Sequence, residues 1–307
     1  MTAAARATET GASAEAIQNH YDLSNPFYAL WLDENMVYSG ALFEREADQS
    51  ETLEQAQVNK LDYHIRSAGV QPGHRVLEIG CGWGACLRRL VQHAGASHAL
   101  GLTLSQAQVD YVRARPVPGV EARLENWQTH QPEQPYDGII SIGAFEHFGK
   151  LEDSDAEKVD AYRRFFQRCQ EDFLKPGGRL SLQTFAYGSR RGRDEARNQE
   201  TTAFLAAEIF RETDPPTLAN IAEAARHHFE ICSLRNDRLH YARTLRIWLA
   251  RLKARRNEAV ALVGEESVAR YERYLQYAFI GFQTGNLDLY RIVLQRVEPQ
   301  LRTARST

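Results

Sequence analysis

Between residues 75 and 184, short apolar runs bounded by glycines or polar turns alternate with stretches of amphipathic helical spacing. The runs at 75–79, 99–102, 120–124, 136–142 and 179–184 read as strands, the fourth carrying apolar Ile139, Ile140 and Ile142. Helices are expected at 85–93, 105–115 and 162–173. Strand and helix in repeated alternation indicate an α/β fold with a parallel, doubly wound sheet. Downstream the pattern predicts a helix at 218–227, a strand at 229–236, helices at 241–256 and 265–279, and a last apolar strand at 287–297. If antiparallel, that strand completes a seven-stranded sheet.

The same pattern divides the chain. Residues 1–14, rich in Ala, Thr, Gly and Ser, read as a disordered tail. Residues 15–68 read as an N-terminal helical cover whose apolar faces use Tyr21, Phe27, Tyr28 and Trp31. Residues 69–186 form the ligand-binding core. Residues 187–217 are polar, are broken by Asp214-Pro-Pro216, and read as an insertion able to close over a substrate as a lid. Residues 218–297 complete the fold, and 298–307 are a tail.

Composition narrows the function classes. Of 307 residues, 43% are hydrophobic and 25% charged, as in an ordinary globular protein, and the net charge of -3 signals neither nucleic acid nor membrane. The four cysteines, Cys81, Cys86, Cys169 and Cys232, show no CxxC pair, so reduced thiols of a cytoplasmic protein are expected, with neither a disulfide frame nor a metal site. A basic leader followed by an apolar run is missing, as is any stretch of about 20 apolar residues. Two basic clusters stand out: Arg243, Arg246, Arg251, Lys253, Arg255 and Arg256 in one helical region, and Arg190, Arg191, Arg193 and Arg197 in the insertion. Each reads as a solvated face or as a dock for an anionic carrier or membrane surface. Neither interleaves aromatics as a nucleic-acid module does, so DNA and RNA are discounted.

Candidate chemistry starts at Val76-Leu-Glu-Ile-Gly-Cys-Gly-Trp-Gly84. A strand runs here into a helix through glycines, which permit a sharp turn and close backbone approach to a ligand. The spacing is GxGxG, not the dinucleotide GxGxxG, and no Lys-Ser/Thr follows to make a P-loop. Glu78 suits an acceptor of hydrogen bonds from an ammonium, or a group that holds the loop.

Further runs stand at Asn19-His-Tyr-Asp-Leu-Ser24, Val37-Tyr-Ser39, Gly101-Leu-Thr-Leu-Ser105, Ser141-Ile-Gly-Ala-Phe-Glu-His-Phe-Gly149 and His240-Tyr-Ala-Arg-Thr-Leu245. With Gly80-Cys-Gly-Trp-Gly84 they make the chain, over about residues 18–296, resemble the cyclopropane fatty acid synthase and mycolic acid methyltransferase family of class I methyltransferases. The resemblance implies a Rossmann-like methyltransferase sheet and S-adenosyl-L-methionine as cofactor. It implies that Tyr38 and Ser39 reach over the cofactor and that Glu78, Gly80, Cys81, Gly82, Trp83 and Gly84 cradle it. Thr103, Leu104 and Gln108 would meet its ribose and amino-acid parts, Asn126 and Trp127 its adenine side, with Gly143 nearby. Tyr21, Gly40, Gln183, Phe185 and His240 would line the substrate pocket.

The resemblance also shows a departure. In these synthases a bicarbonate ion serves as base, in a cage that includes a Cys after the Tyr-Ser pair, the Glu of Glu-His-Phe-Gly, a His on the fifth strand and a Tyr of the later His-Tyr run. Here the Glu is Glu146 and the Tyr is Tyr241, but the Cys position is Gly40 and the His position is Gln183. Gly40 is expected to open space. Glu146 is expected to act as base and cation stabiliser, held by Tyr241, because a carboxylate in an apolar pocket can do both. His147 is expected to point away on extended backbone. The reading is a C-methyltransferase that methylates an alkene carbon of a lipid or specialised metabolite. An N-methyltransferase of a small amine and a non-catalytic cofactor-binding module remain as alternatives, and a homo-oligomer is open.

Overall fold

A computed structural model describes residues 24–44, 50–190, 204 and 213–298. Its strands are β1 (Arg75–Ile79), β2 (His98–Thr103), β3 (Val120–Leu124), β4 (Tyr136–Ile142), β5 (Leu174–Tyr187), β6 (Phe229–Asn236) and β7 (Leu287–Arg296). They form one sheet in the order β3-β2-β1-β4-β5-β7-β6. The first five run parallel, and β7 lies antiparallel between β5 and β6, the arrangement that completes a seven-stranded sheet.

Side chains alternate across a strand, so neighbouring residues feed two cores. The cover begins with α1 (Asn25–Ala29) and continues into α2 (Leu53–Ser67). On one face Val76 and Ile140 meet Leu61 and Ile65 of α2, Leu87 and Leu90 of α3 (Ala85–Gln92), and Val112 of α4 (Gln106–Arg113). On the other face Leu77 and Ile139 meet Phe165 and Phe166 of α5 (Asp155–Arg168) and Ile221 of α6 (Leu218–Ala225). A third core joins the cover to α7 (Arg238–Ala254), α8 (Arg256–Val263) and α9 (Glu265–Thr284) through Phe27, Tyr28, Trp31, Trp248, Tyr271 and Leu275.

Several boundaries differ from the sequence pattern for local reasons. Residues 30–44 of the cover are not helical: the Asp33 carboxylate accepts from Asn35 N at 3.1 Å and Val37 N at 2.8 Å, folding the chain back on itself. α5 starts at Asp155 rather than 162 because Ser154 and Glu157 form a capping box. β5 starts at Leu174 because the Pro-Gly-Gly turn is absorbed as a register shift in its pairing with β4. The helix expected at 241–256 ends at Ala254, and α8 follows as a separate helix. Residues 1–14, Tyr21 and most of 187–217, including Arg191, Arg193 and Arg197, lie outside the described residues. Among the described residues, no helix is long and apolar enough to cross a membrane.

Candidate active site

Strand order reverses between β1 and β4, and open α/β sheets bind ligands beyond the carboxyl ends of the strands at such a point. The glycine loop leaves β1 there. Gly80 has a φ of 83°, and a Cβ on it would fall 2.5 Å from the Ala144 Cβ in the loop after β4. Only glycine lets these two loops touch. Above them lies a cleft of about 140 Å³, open to solvent. Its walls include Tyr38, Ser39, Glu78, Gly80, Cys81, Gly82, Trp83, Thr103, Leu104, Gln108, Asn126, Trp127 and Gly143. Gly84 is not in the wall; it starts α3 in the left-handed region, where a Cβ would crowd Val112 at 2.8 Å.

The polar groups of the cleft are placed by their elements. Thr103, at the end of β2, donates to Gln108 Oε1 at 2.6 Å, and Ser105 caps the helix that carries Gln108. Trp127 is buried edge-on against Phe165 and tilted on Phe148, with part of its surface on the cleft. Glu78 is 3% exposed, and its Oε2 has no hydrogen-bond partner. Burial pushes its carboxyl up to about 8.

Lys60 also lines the cleft and was not singled out from the sequence. It is 1% exposed, and its Nζ donates to Ser39 Oγ at 2.7 Å. A signal was there to find it. Leu53, Ala56, Gln57, Lys60, Leu61, His64 and Ile65 form the buried stripe of α2 at helical spacing, and three of them are polar. Polar residues on a buried stripe must be partnered or used. Gln57 Nε2 holds Ser39 O at 2.9 Å, so α2 grips the Tyr38-Ser39 segment from below.

A second, smaller cavity of about 20 Å³, room for a water-sized molecule, shares Tyr38, Ser39 and Gly143 with the cleft. Gly40, Glu146, Gln183, Thr184, Phe185, Tyr241, Tyr274 and Leu289 complete it. Glu146 sits on a 3-10 turn (Phe145–His147) directly after β4 and is 4% exposed. Thr184 donates to its Oε2 at 3.0 Å. Burial pushes the Glu146 carboxyl up to about 8, while its own backbone N–H and Thr184 pull the other way. Thr184 lies next to Gln183 in sequence, yet only the strand register reveals that it, and not Gln183, faces the carboxylate.

The structure corrects three expectations. Gly40 does not open space: a Cβ there would meet Leu289 Cδ2 at 2.8 Å and the Tyr241 ring at 2.9 Å. Gln183 lines the small cavity, but its amide oxygen is engaged elsewhere: Oε1 accepts from Arg291 Nε at 2.9 Å and faces His64 Nε2 at 3.3 Å. His240 does not line either cavity: its Nδ1 accepts from Phe43 N at 3.1 Å, and its ring stacks on Phe43. His147 lies on the 3-10 turn rather than on extended backbone; it borders the cleft and contacts Thr213 Oγ1 at 2.9 Å, and burial lowers its imidazole to about 4.

Arg291, on β7, is fully buried. It pairs with Asp237 and donates from Nη2 to the carbonyls of Gly40 at 3.0 Å and Ala41 at 2.9 Å. The basic helix is largely engaged as well. Arg243 lies over the Phe43 ring, Arg251 holds Leu32 O and Glu54, and Arg255 and Arg256 pair with Glu258 and Glu265. Arg246 and Lys253 stay exposed.

The described architecture has known counterparts. A family model for mycolic acid cyclopropane synthetase matches residues 8–292. Cyclopropane mycolic acid synthase MmaA2 of Mycobacterium tuberculosis is 36% identical over 294 residues, covering 92% of this chain and 97% of that protein. The solved structure of the cyclopropane synthase MmaA2 from the same organism superposes with a TM-score of 0.82 at 34% identity, covering 93% and 99% of the two chains. The mycolic acid cyclopropane synthase CmaA1, solved in complex with SAH and CTAB, superposes equally well, with a TM-score of 0.82 at 31% identity and the same coverage.

Proposed function

The chain belongs to the mycolic acid cyclopropane synthetase family, and on that premise we propose that it methylates an alkene carbon of a hydrophobic substrate, with the Glu146 carboxylate as proton acceptor. It is a methyltransferase that uses S-adenosyl-L-methionine, which supplies an electrophilic methyl group on a sulfonium. The cleft fits this cofactor: the glycine loop leaves room for close approach, and the orphaned Oε2 of Glu78 is an acceptor waiting for a buried donor.

One observation carries the proposal: Glu146 faces a small, aromatic-walled cavity that shares Tyr38, Ser39 and Gly143 with the cofactor cleft. When an alkene takes the methyl group, the positive charge left on the substrate needs stabilisation, and a proton must leave. Tyr38, Phe185, Tyr241 and Tyr274 exclude water and offer ring faces to positive charge. The Glu146 carboxylate stabilises the same charge and accepts the proton at a carboxyl oxygen, and the freed C–H electron pair forms the new carbon–carbon or carbon–carbon double bond. Loss from the transferred methyl closes a cyclopropane, whereas loss from the neighbouring carbon leaves a methyl branch. A bicarbonate ion is not needed in this scheme. Tyr241 and Leu289 fill the space beside Gly40, Gln183 is taken by Arg291, and the cavity that remains holds about one water.

Glu146→Gln tests this. Labelled-methyl transfer to an alkene-lipid panel should fall about 10²–10⁴-fold, the usual contribution of a positioned base. Cofactor affinity by calorimetry should hold. Turnover within about tenfold of wild type would refute the role.

A further inference from the structure

Two opposite charges border the cleft without meeting each other. Lys60 on α2 and Glu78 on β1 feel one another's charge, yet no ion pair joins them among the described residues. Each is under-used. An ammonium carries three donors, and the one hydrogen bond from Lys60 goes to Ser39 Oγ. Glu78 receives the Cys86 thiol, but its Oε2 keeps no partner. Both side chains are at least 97% buried, where an unsatisfied charge is costly. Burial accordingly lowers the Lys60 ammonium to about 7 and raises Glu78 to about 8. The other charged groups acting on Lys60, Arg291 on β7 and Asp33 of the cover, oppose one another.

We propose that Lys60 and Glu78 form a two-ended clamp for a free α-amino acid terminus, with Lys60 and Ser39 taking the carboxylate and Glu78 the ammonium. The inference rests on the reading of this cleft as the S-adenosyl-L-methionine site and adds Lys60 as the residue that recognises the carboxylate. A zwitterion satisfies both buried groups at once. A ligand with the ammonium alone leaves Lys60 unpaired, and one with neither charge leaves both. The clamp therefore selects for an intact methionine-like end, and it places Ser39, and with it the Tyr38–Gly40 segment beside Glu146, through the ligand's own carboxylate.

The test is calorimetric and needs no methyl acceptor. S-adenosylhomocysteine, its decarboxylated amine and 5′-methylthioadenosine are titrated into wild type, Lys60→Met and Glu78→Gln. Hydrogen bonds to charged groups set the scale, so Lys60→Met should weaken S-adenosylhomocysteine about 10- to 100-fold and leave the two truncated ligands unchanged. Glu78→Gln should weaken both amine-bearing ligands and spare methylthioadenosine. Equal weakening of all three ligands by Lys60→Met would make Lys60 a structural residue and overturn the clamp. Wild type alone gives a second check should Lys60→Met fail to fold: less than about threefold preference for S-adenosylhomocysteine over its decarboxylated form overturns the proposal, since such a ratio is below 1 kcal/mol. Absence of any S-adenosylhomocysteine binding would instead overturn the cofactor assignment. Tight binding without methylation of any alkene would refute the proposed reaction and leave the clamp standing.

Discussion

Thr184→Val probes Glu146 without touching its charge. The substitution keeps side-chain shape at a fully buried position and deletes the donor to Glu146 Oε2. That hydrogen bond favours the ionised carboxylate, so its loss must raise further a pKa already displaced to about 8. A bond to a charged group is worth about 1.5–3 kcal/mol, and one pKa unit corresponds to about 1.36 kcal/mol. The Thr184 hydroxyl has a single proton, however, and Phe185 O lies at the same 3.0 Å as the carboxylate. Sharing puts the effect at the lower end, a shift of about one unit. The assay is kcat against pH at saturating cofactor. The limb rising from acid should move up by about one unit, which lowers the rate about tenfold at pH 7, while wild type and variant converge above the new limb. A limb that stays in place while the plateau drops would refute the base assignment, because a merely structural threonine changes the plateau alone.

Two further outcomes follow from packing. Gly40→Ser drives a Cβ into Leu289 and the Tyr241 ring at 2.8–2.9 Å; overpacking of this kind costs about 1–3 kcal/mol, read as a lowered denaturation midpoint, and an unchanged midpoint would restore the view that Gly40 leaves room. Lys158→Met strands Asp214, which is fully buried and held by Lys158 and by Tyr187 Oη at 2.6 Å; urea unfolding should show a loss of about 3–5 kcal/mol, with the double variant carrying Asp214→Asn recovering much of it.

The strands and their parallel, doubly wound sheet were legible in the chain because buried parallel strands leave short apolar runs between glycine turns. The glycine turn below the cleft was legible for a related reason: glycines at 80, 82 and 84 answer to backbone geometry, which sequence states directly. The small cavity beside it was not. At Gly40 the sequence shows that a side chain is missing, but not that Tyr241 and Leu289, distant in the chain, fill the vacancy. At Gln183 it shows an amide on a strand, but not that a buried arginine on the neighbouring strand claims it. Lys60 escaped because a lysine on a helix reads as solvated until the helix's buried stripe is traced through it. Pairing between remote segments decided each of these positions.

Arg291 gives that remoteness a temporal meaning. The Gly40 and Ala41 carbonyls it holds continue the Tyr38-Ser39 segment that roofs the cleft, and the arginine stands on the last strand. On a ribosome the roof is synthesised early, and its anchor emerges some 250 residues later. N-terminal parts of a chain begin folding first during synthesis, and long-range pairings close late. The nascent protein thus presents its glycine loop well before β7 arrives to fasten the segment above it.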